Sequence, residues 1–135
     1  MEYMFKDAKF LQTPPKINNA YPSSIRQMFY GCEYIIEFPE DYFDGWNWDR
    51  LHTYTNSYMS LVFSNMGRLR KIPVNLLNNF WNKSTSSTYS PYYGAFSHLV
   101  SLDEIIGLGV STANYQSSIM TSIASNCSHL KDFTF

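Results

Sequence analysis

The run CEYIIEF (32–38) ends against Pro39, and no other stretch narrows the fold as much. Its β-branched pair, Ile35 and Ile36, favours an extended backbone beside Tyr34 and Phe38, and the proline removes the next ladder donor. Side-chain alternation then predicts a strand with Glu33, Ile35 and Glu37 on one face and Tyr34, Ile36 and Phe38 on the other. Pro14 and Pro15 stop a short helix or strand over 1–12, because each fixes φ and lacks an N–H. The stretch 18–24 reads as loop, with Ser23 or Ser24 placed to cap a short helix through Ile25, Met28 and Phe29. An apolar run, a turn at Asn65-Met66-Gly67 and renewed alternation through Leu69 and Ile72 predict a hairpin.

The second half reads as helical. Val74, Leu76, Leu77, Phe80 and Trp81 have helical spacing after Pro73, and 84–94 (STSSTYSPYYG) reads as a surface loop. Ser101 and Glu104 fit a capping box that opens a short helix. Tyr115, Ile119, Ile123 and Cys127 recur every fourth residue, which predicts an apolar stripe on a helix over 112–130. No internal repeat stands out. The expectation is a single α+β domain over 1–135, with a short antiparallel sheet in the first half and helices in the second.

Charge is distributed less evenly than the net value of −1 suggests. Residues 31–49 hold six of the eleven acids and no Lys or Arg. The remainder carries five acids against ten Lys and Arg, so the chain separates a −6 segment from a +5 background. Aromatic residues make up 18% of the chain, and they crowd into the acidic segment as EYIIEFPEDYFDGWNWD. One reading has the acids keep a strand edge soluble while the rings fill the core. The other makes the segment a recognition surface: carboxylates steer and pair with a basic groove, and exposed rings add contact area.

Catalytic motifs are missing. His52, His98 and His129 share no metal-binding spacing, and Cys32 and Cys127 fit no zinc or redox pattern. Cys127 and His129 lie two apart, on opposite sides of a helix, so Cys127 reads as a core thiol. The GLG at 107–109 lacks the third glycine of a phosphate loop, and GRLRK (67–71) reads as a solvated face. Asp49 and His52 would meet if 49–52 were helical, which is the one enzyme-like pairing. No apolar run is long enough for a membrane span, and the first residues lack the pattern of a signal peptide. The near-neutral chain makes no general case for nucleic acid, and no metal or cofactor is expected.

FPEDYFDGWNWDRL (38–51) resembles the segment of the barstar family in which an aromatic pair and a glycine lead into an Asn-x-Asp helix start. That segment plugs a ribonuclease active site. The resemblance places Tyr42 on the family's contact tyrosine, and Asn47 and Asp49 on its Asn and Asp contacts. Asp44 is an insertion before Gly45, and Thr53 stands where the family has a further acid. The composition is also similar to that of immunity proteins from contact-dependent growth inhibition. Together these imply a cytoplasmic immunity or inhibitor protein, as in toxin–antitoxin pairs, that catalyses nothing. It would occlude the basic active-site groove of a toxin nuclease domain through Glu40, Asp41, Tyr42, Asp44, Trp46, Asn47 and Asp49. The alternatives are a phage- or plasmid-encoded antagonist of a host factor, and a small enzyme built on Asp49 and His52.

Overall fold

Phe5, Phe29, Phe63 and Phe96 each stand two residues before a residue with positive φ: Asp7, Gly31, Asn65 and His98. Asp, Asn, His and Gly tolerate this left-handed conformation better than other residues. In the computed structural model, which describes residues 1–50, 59–72, 93–105 and 124–133, that coincidence is the fold. Tyr3, Phe5 and Asp7 donate their N–H groups to the carbonyls of Arg26, Met28 and Tyr30. Gln27, Phe29 and Gly31 donate in turn to Ser60, Val62 and Ser64. Leu61, Phe63 and Asn65 donate to Tyr93, Ala95 and Ser97, and His98 continues to Ser125. These ten bonds measure 2.8 to 3.2 Å and run in one register.

Among the described residues five rungs therefore stack, over residues 1–11, 25–35, 59–69, 93–102 and 124–130. This is a short solenoid, in which each repeat contacts only its neighbours. Within a rung the backbone turns repeatedly, with N–H to C=O bonds three residues back at Met28–Ile25, Tyr30–Gln27 and Cys32–Phe29. A second left-handed residue opens the turns of the first four rungs: Tyr3, Gln27, Leu61 and Gly94. For the first three, side chain and all, that conformation costs roughly 1–2 kcal/mol each. The inter-rung ladder offsets it.

The far side of the second to fifth rungs pairs as extended chain. There Arg70 donates to the carbonyl of Ile36 at 2.8 Å, and Glu37 bridges Lys71 in parallel. Lys131 likewise donates to Asp103 at 3.0 Å. It leads into the two defined strands, β1 (Glu104–Ile105) and β2 (Asp132–Phe133). They pair in parallel, Glu104 with Asp132 and Ile105 with Phe133.

Stacking aligns equivalent side chains into columns. The phenylalanine rings of adjacent rungs lie 5.3, 6.1 and 5.9 Å apart from Phe5 to Phe96, with interplanar angles of 22°, 3° and 11°. A second column runs Ala8, Cys32, Met66, Leu99, Cys127, and a third runs Leu11, Ile35, Leu69, Leu102, Leu130. Residues of the middle three rungs in these columns are fully or almost fully buried, and those of the end rungs only partly. Buried Ser64 and Ser97 satisfy each other across rungs at 2.8 Å.

The α+β expectation is corrected at several points. Among the described residues there is no helix, and the strands are two residues long and parallel, not an antiparallel sheet. Residues 60–72 do not fold back as a hairpin. They form the third rung and then pair in parallel with the second. The CEYIIEF stretch buries Cys32, Ile35 and Phe38, every third residue, while Ile36 is exposed. Consecutive turns impose that spacing where a flat strand would alternate. Ser101 does not cap a helix; its hydroxyl donates to the Gly67 carbonyl one rung away at 2.6 Å. Of the stripe expected on a helix over 112–130, Cys127 lies in the fifth rung, and 112–123 fall outside the described residues, as do 74–81 and 84–92. No helix among the described residues is long and apolar enough to cross a membrane.

Candidate functional site

The acidic segment splits cleanly into rings inside and carboxylates outside. After Phe38 the chain leaves the second rung and turns at 39–46, with bonds from Tyr42 to Pro39, Asp44 to Asp41 and Trp46 to Phe43. Tyr42, Phe43, Trp46 and Trp48 are each less than 7% exposed. Phe43 meets Tyr42 at 4.8 Å and Trp46 at 5.0 Å, both edge-on, the arrangement ring quadrupoles prefer. The polar tips are held as well: Tyr42 Oη donates to the Pro15 carbonyl at 2.7 Å, and Trp46 Nε1 to the Ile17 carbonyl at 2.8 Å. The rings thus pin the 14–20 loop against the stack.

Glu33, Glu37, Glu40, Asp41, Asp44 and Asp49 are all exposed. Glu33 pairs with Lys9 at 3.4 Å and Asp41 with Lys16 at 3.5 Å, both open to solvent. Such pairs contribute little to stability. Glu37, Glu40 and Asp44 make no ion pair among the described residues; Glu37 neighbours Lys71 through the backbone bridge, but none of the acids forms a salt bridge with Arg68, Arg70 or Lys71. Asn47 is exposed, with its N–H on the Ala20 carbonyl at 2.8 Å and its Oδ1 accepting from Asp49 N–H at 2.9 Å.

Of the seven expected contact residues, Glu40, Asp41, Asp44, Asn47 and Asp49 are therefore at the surface. Tyr42 and Trp46 are core residues, so the ring contribution expected from them is withdrawn. His52 lies outside the described residues, and the Asp49–His52 pairing with it.

Sequence reasoning missed a second surface. An open groove of about 460 Å³ crosses the second, third and fourth rungs, lined by Glu33, Tyr34, Asn65, Arg68, His98 and Val100. Arg68 lies over the Tyr34 ring at 4.2 Å. Beside it the left-handed residues connect rungs: Asn65 Nδ2 donates to Tyr30 Oη at 2.7 Å, and Asn126 Nδ2 meets His98 Nε2 at 3.0 Å. The recurring Asn, Gly or His two residues after Phe was the available signal. No group of three or more His, Cys, Asp or Glu among the described residues is placed to hold a metal ion.

Both cysteines are structural. Cys32 Sγ donates to the Phe5 carbonyl and Cys127 Sγ to the Phe96 carbonyl, each at 3.0 Å across one rung interface. Burial pushes the Cys32 thiol up to about 11 and raises the Tyr42 phenol and Cys127 thiol too. Raised acid groups bind protons more tightly when folded, so their stabilisation is complete at low pH. It is lost as pH climbs through the range between the unfolded and folded values. Stability should therefore be flat across neutral pH and fall from about pH 9 upward. Chemical denaturation at pH 7, 9 and 10.5 checks this, and Cys32→Ala should flatten the alkaline decline. An equal decline in that variant would refute the assignment to Cys32.

Comparison with protein-family models, curated proteins and solved structures returns no match, so the reading of function rests on this geometry.

Proposed function

We propose that the chain is a non-enzymatic binding protein whose acidic turn, 37–49, docks on a basic protein surface. One observation carries the reading: Glu40 and Asp44 are exposed on a segment without Lys or Arg and make no ion pair among the described residues. The buried rings beneath give the carboxylates a rigid support, which lowers the entropic cost of docking. An inhibitor that covers the phosphate-binding groove of a toxin nuclease is the form of this function that the charge pattern favours. Its contacts would be carboxylates and Asn47 at the rim, acting mainly on association rate.

Co-expression with the product of the adjacent upstream gene tests this. The wild-type chain should form a complex with it and relieve its toxicity. Glu40→Lys with Asp44→Lys should slow association by about tenfold or more at low salt, with a reduced salt dependence. The double variant should unfold within about 0.5 kcal/mol of wild type, because both sites are exposed. Undiminished association would eliminate the acidic turn as the contact.

A further inference from the structure

On the side of the turns the ladder runs one way, and among the described residues its first and fifth rungs carry complementary edges. There the first three rungs offer N–H groups on alternate residues to the rung after them and the fourth continues through His98, whereas on the far side Arg70 and Lys131 donate to the rung before. In the first rung, the carbonyls of Glu2, Met4 and Lys6 occupy the places that Arg26, Met28 and Tyr30 fill in the second. No donor among the described residues reaches those three. In the fifth rung, the N–H groups of Ala124 and Asn126 occupy the places of Phe29 and Gly31, and no acceptor among the described residues meets them. Edges whose groups meet no partner among the described residues offer a template for further pairing.

The side chains repeat the pattern. Met4 is 50% exposed, whereas its equivalents Met28, Val62 and Ala95 are fully buried by neighbouring rungs. Phe5 ends the phenylalanine column half-covered, and Ala124, at the matching place in the fifth rung, is small enough to receive a ring. The backbone is also preset at both ends: Asp7 has φ of 58° and Asn126 of 59°, the bend that each internal rung uses. An ordinary extended strand would have to acquire that bend before pairing. The fifth rung already has it.

The geometry points to a second copy of this chain as the occupant of the first rung's edge, docked through its fifth rung. Ala124 N–H of one copy donates to the Met4 carbonyl of the next, and Asn126 N–H to the Lys6 carbonyl. Met4 is covered, and Phe5 packs over Ala124. The contact joins two different faces, so it is heterologous and propagates head to tail. Preorganised backbones at both ends keep the entropic cost low. This assembly is independent of the acidic turn, which lies at neither end.

Sedimentation velocity and light scattering across a concentration series are the test. Mass should rise with concentration for the wild-type chain. Met4→Arg blocks one end and Ala124→Arg the other, and each should weaken self-association by at least about tenfold. An equimolar mixture of the two variants should form a 1:1 dimer and stop, because one intact end remains on each. Met4 is half-exposed and Ala124 partly buried, and equal unfolding midpoints for the three proteins exclude misfolding. A wild-type chain that stays monomeric to about 1 mM overturns the proposal. So does a mixture that remains monomeric, or single variants that associate like wild type. Glu40→Lys should self-associate normally, which separates this contact from partner binding.

Discussion

Phe63→Ala should destabilise the protein by about 3–5 kcal/mol, the usual range for emptying a ring's volume from a packed core. Phe63 is fully buried in the third rung, stacked between Phe29 at 6.1 Å and Phe96 at 5.9 Å, with Phe38 edge-on at 5.3 Å. A solenoid is held by its nearest-neighbour interfaces, and this ring belongs to two of them. Phe5→Ala provides the control. Phe5 is only partly buried at the end of the column and meets one ring of the column, so its loss should cost distinctly less. Urea denaturation of the two variants makes the comparison. Equal costs would mean that the phenylalanine column is not the continuous core.

Trp46→Ala should cost a similar amount, about 3–5 kcal/mol, and for a reason unrelated to binding. Its ring packs against Phe43 at 5.0 Å and Trp48 at 5.1 Å, and its indole N–H satisfies the Ile17 carbonyl. Trp46→Phe retains much of the packing but leaves that carbonyl without its donor, so a smaller loss of about 1–3 kcal/mol is expected. Asp44→Lys, two residues away and exposed, should stay within about 0.5 kcal/mol of wild type. Ring and acid are adjacent in sequence, yet their substitutions should separate: rings govern stability and acids govern association. Unchanged unfolding midpoints in Trp46→Ala would return that ring to the surface and to the list of contact candidates.

That separation was only half legible beforehand. The concentration of Glu and Asp in 31–49, and the need to place so many rings somewhere apolar, follow from composition. Tyr42 and Trp46 looked like contact residues because they are interleaved with carboxylates in 31–49, as in a surface that grips a basic groove. The core there is made largely by distant chain: Pro15 and Ile17 accept their polar hydrogens, and Phe29 supplies a neighbouring ring. Burial of a turn depends on what folds over it.

The repeat escaped notice for a related reason. Its left-handed residues fall at 7, 31, 65, 98 and 126, at unequal intervals, because the connections between rungs differ in length. Only Gly31 among them announces a positive φ by residue type, while Asp, Asn and His announce it weakly. Strand and helix templates, with periods of two and 3.6, both fit fragments of a rung whose own burial falls at Ile25, Met28, Phe29, Cys32 and Ile35.

By itself, the sequence determined that Pro39 ends the run 32–38, which residues are apolar enough to be buried, and that negative charge gathers in one segment. These are local properties, set by proline and glycine, side-chain chemistry and counting. Only the tertiary structure decided that Phe5, Phe29, Phe63 and Phe96 form one column and that the rings of 42–48 face inward. Each of those depends on hydrogen bonds between residues more than twenty positions apart. A turn becomes a rung only when another rung supplies the acceptors for its N–H groups, and no local pattern specifies which one.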